Sequence, residues 1–164
     1  MNQILAIDPG NTESAFVLLD PSCKPLQYGK IDNDKMLSVI ESVIAINPLG
    51  AVDVAIEMVA SYGMAVGKTV FDTCVWIGRF EQAARYYGAN SVNKVYRADE
   101  KMNLCHSMKA NDSTIRQALV DRFAPDTPNK GKGNKKNPGF FYGFRDDIWQ
   151  AMAVGVTYLD GKAN

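Results

Sequence analysis

Four acidic residues stand where strands and helices are predicted to end or begin. Asp8 closes the apolar run QILAID, Glu57 closes VDVAIE, and Asp146 and Asp147 precede the apolar segment IWQAMAVGVTYL. Carboxylates that converge repel one another unless cations bind between them, and their oxygen atoms suit Mg²⁺ or Mn²⁺. Two such ions about 3.5–4 Å apart can activate water on one side of a phosphodiester and stabilise the leaving oxygen on the other. Together these residues would therefore support phosphodiester hydrolysis.

Each acid also has an ordinary structural explanation. Asp8 can begin the turn DPGN, since all four residues are common in turns. Glu57 can be a solvated strand end, and Asp146 and Asp147 can be favourable charges at the N-terminus of a helix. Both explanations stay open for each acid taken singly. The metal site depends on all of the acids meeting at one edge of a sheet.

The elements that would bring the acids together follow from apolar periodicity and turn residues. Strands are predicted over 3–8, 14–20, 26–32, 52–57 and 91–98, the first three as an antiparallel meander. Helices are predicted over 34–47, 69–87 and 111–123 and from 146 onwards, with a short turn or helix near 99–105.

This order predicts an α/β fold with a mixed five-stranded sheet. Three strands would be antiparallel and two parallel, with helices on both faces of the sheet. If the first and fourth strands are parallel neighbours, Asp8 and Glu57 emerge at the same carboxyl edge. The small residues Ala151 and Gly155 would let the last helix pack closely on the sheet.

Composition points to one globular domain over residues 1–164. The chain is 46% hydrophobic and 22% charged, which is ordinary for such a domain. It has neither a long apolar run nor a signal-peptide pattern, so we expect a cytoplasmic protein without a membrane partner. Three widely spaced cysteines favour reduced thiols.

The formal net charge of +0 hides an asymmetry along the chain. Residues 1–60 carry three basic against eight acidic side chains, and residues 61–164 carry fifteen basic against ten acidic ones. A polyanion held through both metal ions and lysines would use both halves.

Residues 125–145, which we name the basic loop, are rich in Pro, Gly, Asn and Lys and have no helical or strand period. They predict a loop, and their lysines could bind nucleic-acid phosphates and release counterions. A solubilising surface segment is the alternative. The candidate DNA-binding cations in and outside the basic loop are Lys68, Lys109, Arg116, Lys130, Lys132, Lys135 and Lys136. A solvated helix face explains Lys68 equally well.

Four segments resemble the RuvC-type Holliday junction resolvases, which belong to the RNase H-like nuclease superfamily. They are ILAIDPGNTESAFVLLD, VAIEMV, KANDSTIRQALVDRF and DDIWQAMAVG, and together they run from about residue 3 to 155. The resemblance implies an RNase H-like fold in which Asp8, Glu57 and Asp147 are the catalytic metal ligands. Gln150 departs from the family's fourth acid but could still offer an oxygen, and Asp146 is a further candidate ligand. With its long lysine-rich loop, the chain looks more like a phage-encoded resolvase than like the bacterial housekeeping enzyme.

The function that this resemblance implies is that of a crossover junction endodeoxyribonuclease. Such enzymes are homodimers that cut two opposing strands of a four-way DNA junction, here with Mg²⁺ or Mn²⁺ and two ions per active site. In the family, the loop after the fourth strand inserts an apolar or aromatic residue at the crossover, and Tyr62 is the candidate here. Packing of Tyr62 against a partner or the long helix is the alternative. The dimer face is predicted from apolar residues of that helix, namely Phe71, Val75, Trp76 and Phe80.

Three other functions remain compatible with the sequence. The first is another RNase H-like nuclease, such as one that cuts RNA–DNA hybrids. The second is an actin-like or sugar-kinase-like nucleotide-binding protein, because DPGNT resembles the DxGxT phosphate turn of that fold. The third is a catalytically inactive DNA-binding module, for which Gln150 is the only indication.

Overall fold

The computed structural model describes residues 1–164 and contains one five-stranded mixed sheet. The strands are β1 (Gln3–Asp8), β2 (Glu13–Leu19), β3 (Pro25–Asp32), β4 (Val52–Met58) and β5 (Ser91–Tyr96). Their order across the sheet is β3-β2-β1-β4-β5. Strands β1 to β3 pair antiparallel, while β1 with β4 and β4 with β5 pair parallel. The predicted mixed sheet is confirmed.

Five helices cover the two faces of this sheet. They are α1 (Asn33–Ala45), α2 (Lys68–Tyr87), α3 (Arg97–Cys105), α4 (Asp112–Phe123) and α5 (Ile148–Ala163). One core lies between the sheet and α1 with α2, and a second core lies between the opposite face and α3, α4 and α5. Because successive strand residues point to opposite faces, Leu5 and Ile7 enter the first core while Ile4 and Ala6 enter the second. Both faces of β1 are therefore buried, which explains its unbroken apolar run.

Helix α5 crosses the centre of the sheet at close range. A Cβ atom added at Gly155 would lie 2.6 Å from Leu19 Cδ1 and 3.0 Å from Ala6 Cβ. Ala151, one turn earlier, is fully buried. The predicted close packing is confirmed, and it fixes the position of the N-terminus of α5 relative to β1.

The basic loop is anchored by its aromatic residues. Phe141 and Phe144 are buried, and their rings lie 4.7 Å and 5.2 Å from that of Trp149 at the start of α5. Gly131 and Gly133 adopt positive φ angles of 76° and 64°, a region that disfavours residues with a Cβ atom. The basic loop is thus a folded extension of the second core that leads directly into α5.

The structure corrects the predicted dimer face at one position. Phe80 is 0% exposed and belongs to the core under α2, so its assignment to an external face is wrong. Phe71 and Val75 are 60% and 62% exposed, and Trp76 is half-buried. Helical periodicity placed Phe80 on the core stripe with Ile77 and Ala84, and this stripe is the one that the sheet covers.

All three cysteines are free, as predicted. None of the helices combines the length and apolar character that crossing a bilayer requires.

Candidate active site

Asp8 and Glu57 end two neighbouring parallel strands and form what we name the acidic pair. In the register of β1 with β4, Ile7 lies beside Ile56, so the next residues along the strands are Asp8 and Glu57. Both side chains are partly buried. The prediction that these two acids leave the sheet at one edge is confirmed.

The electrostatics of Asp8 are unusual for an acid in a turn. Burial raises the pKa of Asp8 to about 9, and the neighbouring Glu57 carboxylate is the next largest cause. Without cations, the acidic pair therefore holds a proton at neutral pH. A bound divalent cation would replace that proton, because positive charge close to the carboxylates stabilises their ionised forms.

A polar network holds the turn that follows Asp8. The Gly10 amide donates to Ser14 Oγ at 3.1 Å, and Ser14 Oγ donates to Asn33 Oδ1 at 2.6 Å. Asn33 Nδ2 donates back to the Gly10 carbonyl at 2.9 Å. Ser14 and Asn33 are both buried, so the hairpin is tied to the start of α1. The hydrogen bonds that stabilise the DPGN turn therefore also fix the position of Asp8.

Asp147 approaches the acidic pair from α5 and is ion-paired on its other side. It is the N-cap residue of α5, and its charge contributes to raising the pKa of Asp8. Its Oδ2 lies 2.8 Å from Lys30 Nζ, and Lys30 lies on β3 across Ala15 from Asp8. Asp146 is exposed with a φ of 46°. Asp147 rather than Asp146 is therefore the acid of this segment that acts on the acidic pair.

The donor set fits a hard divalent cation, although the ligands are not yet gathered around one point. No group of three or more Asp, Glu, His or Cys side chains lies close enough to hold one ion. The nearby oxygens of Asp8, Glu57 and Asp147 are nevertheless the type that Mg²⁺ and Mn²⁺ prefer. If a divalent metal ion replaced Lys30 as the partner of Asp147, Asp147 would be free to join the acidic pair.

Sequence reasoning missed two charged residues of α3 that lie beside the acidic pair. Arg97 follows β5 directly, and it lines a cavity of about 250 Å³ together with Glu57 and Tyr62. Glu100 is 0% exposed and accepts a hydrogen bond at 2.8 Å from Arg97 Nη1. Burial, followed by the charge of Glu57, raises the pKa of Glu100 to about 8. The sequence signal was a charge pair three residues apart, which is common on exposed helices.

Arg97 also binds the side chain of Gln150. The Gln150 side-chain oxygen accepts a hydrogen bond from Arg97 Nη1, and Arg97 Nη2 pairs with Asp112 at the start of α4. Arg97 therefore joins α3, α4 and α5 at the edge where the acidic pair lies. The oxygen that was predicted as a metal ligand at Gln150 is engaged by this guanidinium.

Tyr62 lies in the loop between β4 and α2. It is 66% exposed, has a φ of 49° and lines the same cavity as Glu57. Its position is compatible with contact to a substrate at the acidic pair, and it does not pack into either core.

The predicted DNA-binding cations have four different environments. Lys109, Lys130, Lys135 and Lys136 are exposed, and Lys132 is half-buried. Lys68 pairs with Asp72 on α2. The Arg116 guanidinium lies 5.4 Å from the centre of the Trp149 ring, so Arg116 also supports the start of α5. Contact of these residues with nucleic acid stays a prediction.

The chain has a close structural likeness to RuvC. It superposes on Thermus thermophilus RuvC in complex with a Holliday junction substrate with a TM-score of 0.70 and 14% sequence identity, over 100% of this chain and 97% of that one. A second Thermus thermophilus RuvC structure matches with a TM-score of 0.68 and 14% identity, over 98% and 96% of the two chains. No protein-family model and no curated protein sequence matches the chain. The likeness confirms the predicted RNase H-like fold.

Proposed function

We propose that this protein is a metal-dependent endonuclease that resolves Holliday junctions or related branched DNA by paired nicks. The observation that carries the proposal is the acidic pair at the carboxyl ends of parallel β1 and β4, on a fold shared with RuvC over its whole length. That likeness includes a RuvC structure solved with a Holliday junction substrate. The protein would act as a crossover junction endodeoxyribonuclease.

Asp8, Glu57 and Asp147 are the residues that would hold Mg²⁺ or Mn²⁺, with two ions in each active site. Bound ions of this kind supply activation of water and stabilisation of the leaving oxygen in phosphodiester hydrolysis. A bound cation would take the place of the proton held by the acidic pair. Lys30, which pairs with Asp147, would then be a positive charge on β3 available to a phosphate of the bound strand.

The substrate would be held by positive charge on either side of the acidic pair. The exposed lysines of the basic loop precede Asp147, and Lys109 precedes α4, whose Asp112 is tied to Arg97. Lysine contacts to phosphates release counterions and give affinity without sequence preference. Discrimination for a branched substrate would instead come from Tyr62, which can stack at opened base pairs beside Glu57.

The direct test compares wild type with Asp8→Asn on four labelled substrates: a four-way junction, a fork, a linear duplex and an RNA–DNA hybrid. With Mg²⁺ or Mn²⁺ we expect wild type to make symmetric nicks in the junction, leaving 5′-phosphate and 3′-hydroxyl ends. Asp8→Asn should bind the junction in a gel-shift assay without cutting it. Asp121→Asn is the matched control, because Asp121 is an exposed acid on α4, and it should cut like wild type.

Other outcomes would replace the proposal by a named alternative. Cleavage of the hybrid alone would assign a different RNase H-like nuclease. Binding of junction without cleavage in either metal would assign an inactive DNA-binding module. Binding of ATP with no cleavage of any substrate would assign a nucleotide-binding protein.

A further inference from the structure

Glu100 is the most deeply buried acid near the acidic pair, and only one of its two carboxylate oxygens has a hydrogen-bond partner. Its Oε2 receives the hydrogen bond from Arg97, while its Oε1 is buried and has no hydrogen-bond partner. A buried polar atom without a hydrogen-bond partner destabilises the folded protein. In folded proteins such an atom normally has a partner, such as a water molecule or an ion.

The position of Glu100 shows what that partner could be. Arg97, which pairs with Glu100, lines one cavity with Glu57, and Glu57 lies beside Asp8 at the ends of β4 and β1. The three carboxylates therefore share one region at the edge of the sheet. Only one cationic side chain, Arg97, pairs with Glu100, and that guanidinium also serves Gln150 and Asp112. The acids in this region therefore outnumber the cations that neutralise them.

Building on the proposed function, we propose that Glu100 is an additional carboxylate of the metal site and acts on a divalent cation through its unpartnered Oε1. Glu100 reaches the acidic pair from α3, an element that the sequence did not assign to the site. It supplies the negative charge that Gln150, the neutral residue on the same guanidinium, does not. Arg97 is the positioning residue, because it holds the Glu100 and Gln150 side chains on one guanidinium.

The test measures Mn²⁺ binding by titration calorimetry in the full-length protein without DNA. Loss of an outer partner of a metal site typically costs 10–100-fold in affinity, and we expect Glu100→Gln to weaken Mn²⁺ binding by at least about tenfold. The double variant Glu100→Gln with Gln150→Glu moves the charge across Arg97 and should recover most of the lost affinity. Glu81→Gln is the matched control: Glu81 is a partly buried acid on α2 that pairs with Arg85 of the same helix and with Lys94 on β5, and the variant should bind like wild type.

A purely structural role for Glu100 predicts a different pattern. Glu100→Gln would then lower the melting temperature in EDTA while leaving the Mn²⁺ affinity of the folded protein unchanged, and this result would overturn the inference. If Glu100→Gln does not fold, replacement of both partners by methionine (Arg97→Met with Glu100→Met) removes the buried pair together. Because Arg97 also holds Gln150, the single variant Arg97→Met is the reference: weaker Mn²⁺ binding by the double variant than by Arg97→Met reports on Glu100, and equal binding would overturn the inference.

The failure of this inference can be told apart from failure of the proposed function. If wild type and Asp8→Asn bind Mn²⁺ equally poorly, there is no metal site and both fail. If wild type binds Mn²⁺, Asp8→Asn does not, and Glu100→Gln binds like wild type, the nuclease proposal stands and Glu100 is only a structural residue.

Discussion

Two acids on the same strand show the difference between a structural carboxylate and a candidate functional one. Asp53, at the start of β4, is fully buried and receives hydrogen bonds from Lys162 at 2.6 Å, Asn90 at 2.7 Å and Ser91 at 2.8 Å. Although burial alone would raise its pKa, these donors lower it to about 2. Glu57, near the other end of β4, faces Asp8 instead of a cation. The fold thus places a cation beside the acid at one end of β4 and a second acid beside the one at the other end.

The carboxylate of Asp53 should make the protein sensitive to acid. The pKa of Asp53 is about 2 in the folded protein and 3.8 in the unfolded chain, so its contribution to stability is present above about pH 4 and is lost as the pH falls from about 4 to 2. The loss should reach about 2 kcal/mol. Urea unfolding at pH 5 and pH 2.5 checks this. Between these two pH values the free energy of unfolding should change by about 2 kcal/mol less in Asp53→Asn than in wild type. An equal difference in both proteins would contradict it.

Tyr62 should matter for the branched substrate and not for the metal. Stacking of one base on an aromatic ring contributes about 1–3 kcal/mol, so Tyr62→Ala should slow junction cleavage by about tenfold or more while Mn²⁺ affinity stays unchanged. Tyr62→Phe keeps the ring and should cut nearly like wild type. Ile46→Ala, just after α1, removes another exposed apolar side chain and serves as the control. Equal rates for Tyr62→Ala and wild type would exclude Tyr62 from substrate contact.

At the scale of elements, α5 carries Asp147 and depends on one glycine for its distance from the sheet. Gly155→Val would force atoms into Leu19 and Ala6, and overpacking of this kind costs about 1–3 kcal/mol. We expect a lower melting temperature and, in the protein that remains folded, slower cleavage because Asp147 moves with the helix. Gly161→Ala on the same helix meets nothing within 4 Å and should be as stable as wild type or more so. Thermal unfolding of both variants, followed by cleavage assays below the transition, distinguishes the two positions.

The elements that the sequence predicted well are those whose pattern is local. The strands and the stripe Met36, Ile40, Val43 and Ile44 of α1 have a clear period, and all four of those side chains are buried. The predicted order left the pairing of β1 with β4 as a condition, and the structure shows that they are parallel neighbours, which places Asp8 beside Glu57. Asp147 was chosen over Asp146 only through the family resemblance, and the local geometry of the α5 N-terminus supports that choice.

The features that the sequence did not reveal depend on packing between elements. Glu100 belongs to the short helix α3, whose period is too brief to show which side is buried. The lysines and glycines of the basic loop predict a polar segment. Its fold depends instead on the packing of Phe141 and Phe144 against Trp149. The pairing of Lys30 with Asp147 joins residues that lie far apart in the chain. Single residue types do not encode such contacts.

At the scale of the whole molecule, paired nicking of a four-way junction needs two active sites. One chain carries one acidic pair, so we expect a homodimer with two-fold symmetry. The exposed apolar residues Phe71, Val75 and Tyr86 follow the outer side of α2, and a 20-residue helix is about 30 Å long. An isologous contact between two copies of α2 would cover this surface and fix the separation of the two acidic pairs.

Phe71→Asp tests the dimer and its link to function together. A buried, unpaired charge at an interface is strongly unfavourable, so light scattering at micromolar concentration should give a dimer mass for wild type and a monomer mass for Phe71→Asp. The monomeric variant keeps the acidic pair and should still bind Mn²⁺, but it should nick one strand of a junction without the coordinated second cut. Gln117→Glu adds a charge at an exposed position of α4 and should remain dimeric. A monomer mass for wild type, or paired cuts by a monomeric Phe71→Asp, would show that α2 does not couple the two sites.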